Sequence, residues 1–171
     1  MSNHDELNET YEKLFLAEKE YIKIYLDSNK KVFAKKYGLT LTQSRMDVVA
    51  SYYANHIMDI EKVIKKIKSF YDDIKKIELY FFKNHDINIV LEDDAIDFII
   101  DQLENSDYDL EAFYEHISTD FEYGLKLVQE KTGKNRFFIT KDALLNPESF
   151  ISNLIKEELN LHSKMNLKPL A

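Results

Sequence analysis

The chain has 171 residues, a length that limits it to one domain or one domain with an appendage. Its formal net charge at pH 7 is −8. The acidic balance argues against a protein that binds duplex nucleic acid, because such a protein needs a basic face to displace counterions. Cysteine is absent, so disulfides, thiolate metal sites and cysteine nucleophiles are excluded.

The first predicted element is a long helix from about Glu6 to Tyr37. Gly38 follows it and suits the left-handed residue that ends many helices. Apolar residues recur along the helix at intervals of three and four, which predicts a stripe that faces the protein core. The residues of this stripe are Leu7, Tyr11, Leu14, Phe15, Tyr21, Ile22, Tyr25, Val32 and Phe33.

Two further helices are predicted before the middle of the chain. The second begins near Thr42 or Ser44, because Ser44–Asp47 resembles a capping box with aspartate in place of glutamate. The third runs from Asp59 to about Lys83, with apolar residues in a near-heptad pattern. We interpret the first and third helices as an antiparallel hairpin. The alternative is a dimeric coiled coil, which is less favoured because Tyr and Phe pack less regularly than Leu at seam positions.

The middle of the chain has a β-α-α-β order. Two short apolar, β-favouring runs, Ile87–Leu91 and Arg136–Thr140, are the predicted strands. The first helix between them begins at the acidic residues 92–94, and the second runs from its N-cap Asp109 to about Lys131. Two intervening helices are long enough for a crossover, so we expect the strands to pair in parallel.

The C-terminal quarter is also predicted to be helical. A short helix covers Lys141–Leu145, and a last helix opens with Asn146 as N-cap and Pro147 at the first helical position. Gly124, in the preceding long helix, marks a place where two backbones can approach closely. From about His162 onward we expect a frayed tail.

These elements define a mainly α fold in three parts. Residues 1–84 form a long helical hairpin, residues 85–161 form a small β-α-α-β subdomain, and residues 162–171 form a flexible tail. The sheet of the subdomain is expected to have two strands, or three if another segment joins it.

No constellation of side chains points to catalysis, a cofactor or a metal. The acids Glu92, Asp93, Asp94 and Asp97 fit a helix N-terminus followed by a solvated face better than a metal cluster. The five histidines lie on separate elements without ligand spacing, and His85-Asp86 is typical of a local cap in a turn. Phosphate-binding loops and nucleophile elbows are also absent from the sequence. We therefore assign no catalytic, cofactor-binding or metal-binding residue.

The segment from about Tyr80 to Ile151 resembles the C-terminal small domain, or lid, of ClpX-type AAA+ ATPases. The resemblance is carried by the apolar strand, acidic turn and Ala-Ile helix of residues 87–99. It continues through Leu125–Val128 with Thr132-Gly133, and through the closing strand of residues 137–143. It implies a strand, two helices and a strand, preceded by a long linking helix.

Two departures from the family pattern limit what the resemblance implies. The second lid helix of the family usually begins with a motif whose arginine reaches the nucleotide, but here Tyr108–Phe113 is acidic and lacks arginine. The ATP-binding domain of the family, with its phosphate loop, is also missing. The chain is then either a C-terminal region of a longer ATPase or a stand-alone homologue of the lid, with residues 5–84 as an insertion. ATP would be a cofactor of that parent protein, and this chain would carry none.

The leading functional hypothesis is a non-catalytic lid-like region that packs on a neighbouring ATPase domain or subunit and moves as a rigid body when nucleotide turns over. A protease or a substrate protein would be a further partner. The runner-up is a small helical adaptor or regulatory protein that binds a partner through its hairpin, and the third is an enzyme with a non-standard site. The predicted interface consists of apolar residues left off the helix stripes, namely Ile24, Tyr52, Leu79, Tyr80 and Phe82.

We expect the chain to be cytoplasmic. The N-terminal sequence lacks the basic and apolar segments of a signal peptide. No apolar run approaches the roughly 18 residues of a membrane span. Neither a membrane nor a nucleic acid is therefore an expected partner.

Overall fold

The structure, a computed structural model, describes residues 3–167 and is mainly α-helical, with 82% of these residues in helices. In chain order the elements are α1 (Asn3–Tyr37), α2 (Gln43–Asn55), α3 (Ile60–His85), β1 (Asn88–Leu91), α4 (Asp93–Asn105), α5 (Leu110–Thr132), β2 (Arg136–Ile139), α6 (Lys141–Leu145) and α7 (Pro147–Asn166). The predicted mainly α fold with a small sheet is confirmed. The chain divides into two compact units, one up to Tyr71 and the other from Asp72, so the division falls within α3 and not at the predicted residues 84 and 85.

The first unit is built on an antiparallel hairpin of α1 and α2. Gly38, at a φ of 64°, ends α1, and Thr42 begins α2 by accepting a hydrogen bond at Oγ1 from the backbone N–H of Arg45 (3.2 Å). Thr42, not Ser44, is therefore the N-cap. The close helix pair is α1 with α2, whereas the sequence analysis pairs the first helix with the third.

The core of the first unit is apolar except for one arginine. The buried apolar residues are Ile22, Leu26, Phe33, Leu39, Leu41, Met46, Val49, Ala50, Tyr52, Val63, Ile64 and Ile67. Arg45 is buried among them and stacks its guanidinium on the Tyr71 ring, 5.0 Å from the ring centroid. Stacking on an aromatic face suits the planar, weakly hydrated guanidinium.

The second unit is organised by one parallel strand pair. β1 and β2 pair in the register Ile89↔Phe137 and Leu91↔Ile139, and α4 and α5 form the crossover between them. This confirms the predicted pairing of the two segments and its direction. Asp94 reinforces the arrangement, because its Oδ2 accepts a hydrogen bond from the backbone N–H of Lys141 (3.1 Å).

Two details of the second unit differ from expectation. Asp97, predicted on the solvated face of α4, is only 4% exposed, although Asp93 and Asp101, one turn away on the same face, are exposed. α7 continues to Asn166 and so includes half of the predicted tail, while residues 168–171 of that tail lie outside the described residues.

The predicted close approach at Gly124 is present where α5 packs on α7. A Cβ atom built on Gly124 would lie 2.3 Å from Cγ2 of Ile151 and 2.9 Å from its Cδ1. Real Cβ atoms do not approach a neighbour so closely, so any larger residue must displace α7 or the Ile151 side chain. Gly124 therefore sets the distance between the two helices.

We expect Gly124→Ala to lower the free energy of unfolding by about 1 to 2 kcal/mol, because overpacking outweighs the better helix propensity of alanine. Chemical denaturation measures the loss. In a double-mutant cycle, Ile151→Ala should reduce the cost of Gly124→Ala, since it removes the atoms that clash. Equal costs in both backgrounds would contradict the steric explanation.

Candidate functional site

The most unusual surface of the protein is a line of exposed apolar residues along α1, which we call the α1 stripe. Its members are Leu7, Tyr11, Leu14, Tyr21, Tyr25 and Val32. Their exposed fractions lie between 40% and 70%. The sequence analysis predicts these residues to be core-facing, and that prediction is wrong for all six.

The α1 stripe and the buried face of α1 are separate faces of one helix. Ile22, Leu26 and Phe33 are buried, whereas the stripe lies about 80° around the helix axis at 100° per residue. The stripe follows the alternating spacing of four and three residues that is typical of a coiled-coil seam, with Glu18 and Ser28 in the two remaining seam positions. From Leu7 to Val32 it extends about 37 Å at 1.5 Å per residue.

The N-terminal half of α1 is less packed than the C-terminal half. Among residues 3–20 none is buried, and only Phe15 and Lys19 are partly covered. Tyr11 and Glu18 border an open depression whose other side is the loop between α2 and α3. Ile57, in that loop, is completely exposed, so it adds an apolar side chain beside the stripe.

The two halves of α1 carry opposite charge. Residues 3–20 contain six acidic residues and two lysines, whereas residues 21–37 contain five lysines and one aspartate. The formal charge of the helix thus changes from −4 to +4 along its length. This separation runs along the same helix as the α1 stripe.

Two ion pairs hold α1 in the first unit. Lys23 lies 2.7 Å from Oδ1 of Asp47 in α2, and Lys36 lies 2.9 Å from Oε1 of Glu61 in α3. The hydrogen bond from Lys36 lowers the pKa of the Glu61 carboxyl, and Glu61 in turn raises the pKa of Lys36. Both pairs lie in the C-terminal half of α1 and join it to the other two helices of the unit.

The predicted interface residues lie in different surroundings. Ile24, Leu79, Tyr80 and Phe82 are exposed, whereas Tyr52 is only 7% exposed, with its ring stacked on His56. Tyr52 is therefore a core residue of the first unit and not part of a surface. Ile24 lies beside the α1 stripe on the side away from the buried face.

The three exposed residues on α3 belong to the second unit and form two small surfaces. Leu79 and Phe82 line an open depression along β1, where Glu78 accepts a hydrogen bond from the backbone N–H of Leu91 (2.7 Å). Tyr80 points its ring edge-on to Tyr114, with 6.4 Å between ring centroids. Ile24, by contrast, belongs to the first unit.

The second unit also contains a polar cluster that the sequence analysis does not identify. His85 Nδ1 lies 3.1 Å from Oε1 of Glu122, and His85 Nε2 lies 3.5 Å from the Tyr114 hydroxyl, which also accepts a hydrogen bond from Asn84. His85 thus links the end of α3 to α5 and is not the local cap that was predicted. Asp86 takes the left-handed conformation that ends α3, at a φ of 56°.

One half-open apolar hollow of the second unit is small. It has a volume of about 190 Å³ and is lined by Phe98, Phe113, Phe121 and Leu144, among others. Ligand pockets typically measure roughly 300–1,000 Å³. Within residues 3–167 no group of three or more His, Asp or Glu side chains is placed to hold a metal ion. In the same part of the chain, none of the helices has the length and apolarity to span a membrane.

No protein-family model, no curated protein and no solved structure matches this chain. The resemblance to ClpX-type lids therefore rests on the residues that carry it and stays a prediction.

We expect Glu61→Gln to lower the thermal unfolding temperature at neutral pH. Because the pKa of Glu61 is lowered in the folded state, its stabilising effect is present above the ordinary carboxyl pKa and is lost as pH falls through the folded value. The difference between wild type and variant should thus shrink below about pH 4. Calorimetry from pH 7 to pH 3 measures it, with Glu130→Gln on the surface of α5 as control. A difference that persists at pH 3 would show that Glu61 acts by other means.

A second prediction distinguishes surface from core on α3. Phe81→Ala should cost about 3 to 5 kcal/mol of stability, because the Phe81 side chain is fully buried. Phe82→Ala should cost less than about 1 kcal/mol, because Phe82 is 40% exposed. Urea denaturation compares the two neighbours. A loss at Phe82 as large as that at Phe81 would remove Phe82 from the predicted interface.

Proposed function

We propose that this chain is a protein-interaction module that acts by binding and not by catalysis, and that its contact surface is the α1 stripe. The observation that supports this proposal most directly is the stripe itself. Single exposed apolar residues are common on protein surfaces, but a continuous apolar surface usually marks an interaction site. The six large apolar residues of the stripe form an extended apolar surface in which only the seam positions Glu18 and Ser28 are polar.

The stability of α1 provides a second argument. Helices of fewer than about 12 to 15 residues are marginal in water without tertiary packing, and longer ones gain most of their stability from a packed apolar face. Residues 3–20 of α1 bury no side chain within the described part of the chain. A partner that covers the α1 stripe would supply the packing that this half of the helix lacks.

The second candidate is the lid-like region of a ClpX-type AAA+ ATPase. One observation favours it, namely the parallel pairing of β1 and β2 through α4 and α5, which is the order that the resemblance implies. In this case the partner would be an ATPase domain carrying a phosphate loop. The contact surface would include the exposed residues Leu79, Tyr80 and Phe82 of the second unit.

Site-specific photocrosslinking in the native host cell tests both candidates. A photoreactive phenylalanine analogue replaces Leu14 in the α1 stripe, Leu16 on the opposite face of α1 as matched control, or Phe82 on α3. We expect a reproducible covalent adduct from position 14 and none from position 16. Mass spectrometry of the adduct identifies the protein that contacts the stripe.

The outcomes separate the candidates. Equal adducts from positions 14 and 16, or no adduct from position 14, would overturn the proposal that the α1 stripe is the contact surface. An adduct from position 82 with a protein that contains a phosphate loop would favour the lid-like candidate.

A further inference from the structure

We propose that the partner of the α1 stripe is the α1 stripe of a second copy of this chain, packed in antiparallel orientation. This inference rests on the proposed function, since it names the occupant of the surface described there. It rests on two features of α1, the apolar stripe and the separation of charge. Each is complementary to the same feature of a second α1 that runs in the opposite direction.

Charge complementarity decides the orientation. In an antiparallel pair, the N-terminal half of each α1, with charge −4, lies beside the C-terminal half of the other copy, with charge +4. In a parallel pair, each half would lie beside its own copy, and like charges would repel along the whole length. The opposite ends of α1 are thus electrostatic partners for each other.

The apolar residues match in the same orientation. When Leu7 is set opposite Val32 of the second copy, Leu14 falls opposite Tyr25 and Tyr11 falls opposite Ser28. This follows because in an antiparallel pair the residue numbers of facing residues add up to the same value. The whole stripe is covered in this register, with neither end left over. A homodimer built in this way has the two-fold symmetry that most soluble dimers share.

Glu18 supplies a further reason for the antiparallel orientation. It occupies a seam position, so a parallel pair would bring the two Glu18 carboxylates together in an apolar environment, which is costly. In the antiparallel register Glu18 instead falls opposite Tyr21 of the second copy. A tyrosine hydroxyl can donate a hydrogen bond to that carboxylate.

The position of the stripe leaves room for a second helix. The buried face of α1 is occupied by its own unit, and the stripe lies about 80° away from it. Ile24, which is exposed and lies beside the stripe on the side away from the core, comes within about 3 Å along the axis of the level of Ala17 of the second copy, on the same flank of the seam. It would therefore extend the apolar contact, as the sequence analysis predicts for this residue.

Sedimentation velocity of the purified full-length chain over a range of concentrations tests the self-association. We expect a reversible monomer–dimer equilibrium. Leu14→Glu should weaken it by about tenfold or more, because it removes a buried apolar side chain and places a charge in the seam. Leu16→Glu is the matched control, since Leu16 is equally a leucine of α1 but lies on the opposite face, and it should leave the equilibrium unchanged.

Chemical crosslinking tests the orientation. The chain has no cysteine, so single cysteines introduced at Thr10 and Lys31, two exposed positions beside the stripe, are the only thiols. A short bismaleimide should join Thr10→Cys chains to Lys31→Cys chains in a mixture. It should not join two Thr10→Cys chains, because their positions 10 are about 28 Å apart along the helix axis in the antiparallel register.

Each outcome has a defined meaning. A monomer at all concentrations, or equal weakening by Leu16→Glu, would overturn the self-association, and crosslinking of Thr10→Cys chains to each other would overturn the antiparallel orientation. If the chain is monomeric but photocrosslinking from position 14 captures a different protein, the second-copy inference fails and the proposed function stands. If neither a dimer nor an adduct forms, both fail.

Discussion

The first unit depends on the placement of α1, because α1 contributes Ile22, Leu26 and Phe33 to its buried core. A helix can present one face to the neighbours of its own unit, so this burial fixes which residues of α1 point outward. The Lys23–Asp47 and Lys36–Glu61 pairs hold the helix in that rotation. The exposed α1 stripe is therefore a consequence of core formation and not an independent feature of the surface.

The architecture of the second unit was largely predictable from the sequence, for reasons that are local. Short β-favouring runs, an acidic helix start, the N-cap Asp109 and the stop at Gly133 each act within a few residues. Two helices between two strands then permit a parallel crossover, and β1 and β2 pair in this way. The burial of Asp97 could not be predicted, because it depends on which elements cover α4, and no local pattern records that.

The candidate site could not be predicted from apolar periodicity, and α1 shows why. A pattern of threes and fours identifies residues that avoid water but not the partner that covers them, which can be the same chain or another one. On α1 the buried face and the α1 stripe are close enough to read as one broad apolar face. The signal that could have separated them is Glu18, a charge in the middle of the stripe, together with the reversal of charge along the helix.

The composition of the α1 stripe suits an association that can be made and broken. Three of its six members are tyrosines, whose rings bury a large apolar area while the hydroxyl group stays hydrated in the separated state. A stripe of leucines would give stronger pairing but would be more costly to expose. Glu18 and Ser28 interrupt the seam, so in the proposed pairing they would lower the affinity further while restricting the register. The residues that would weaken the proposed contact are thus the same ones that would make it selective.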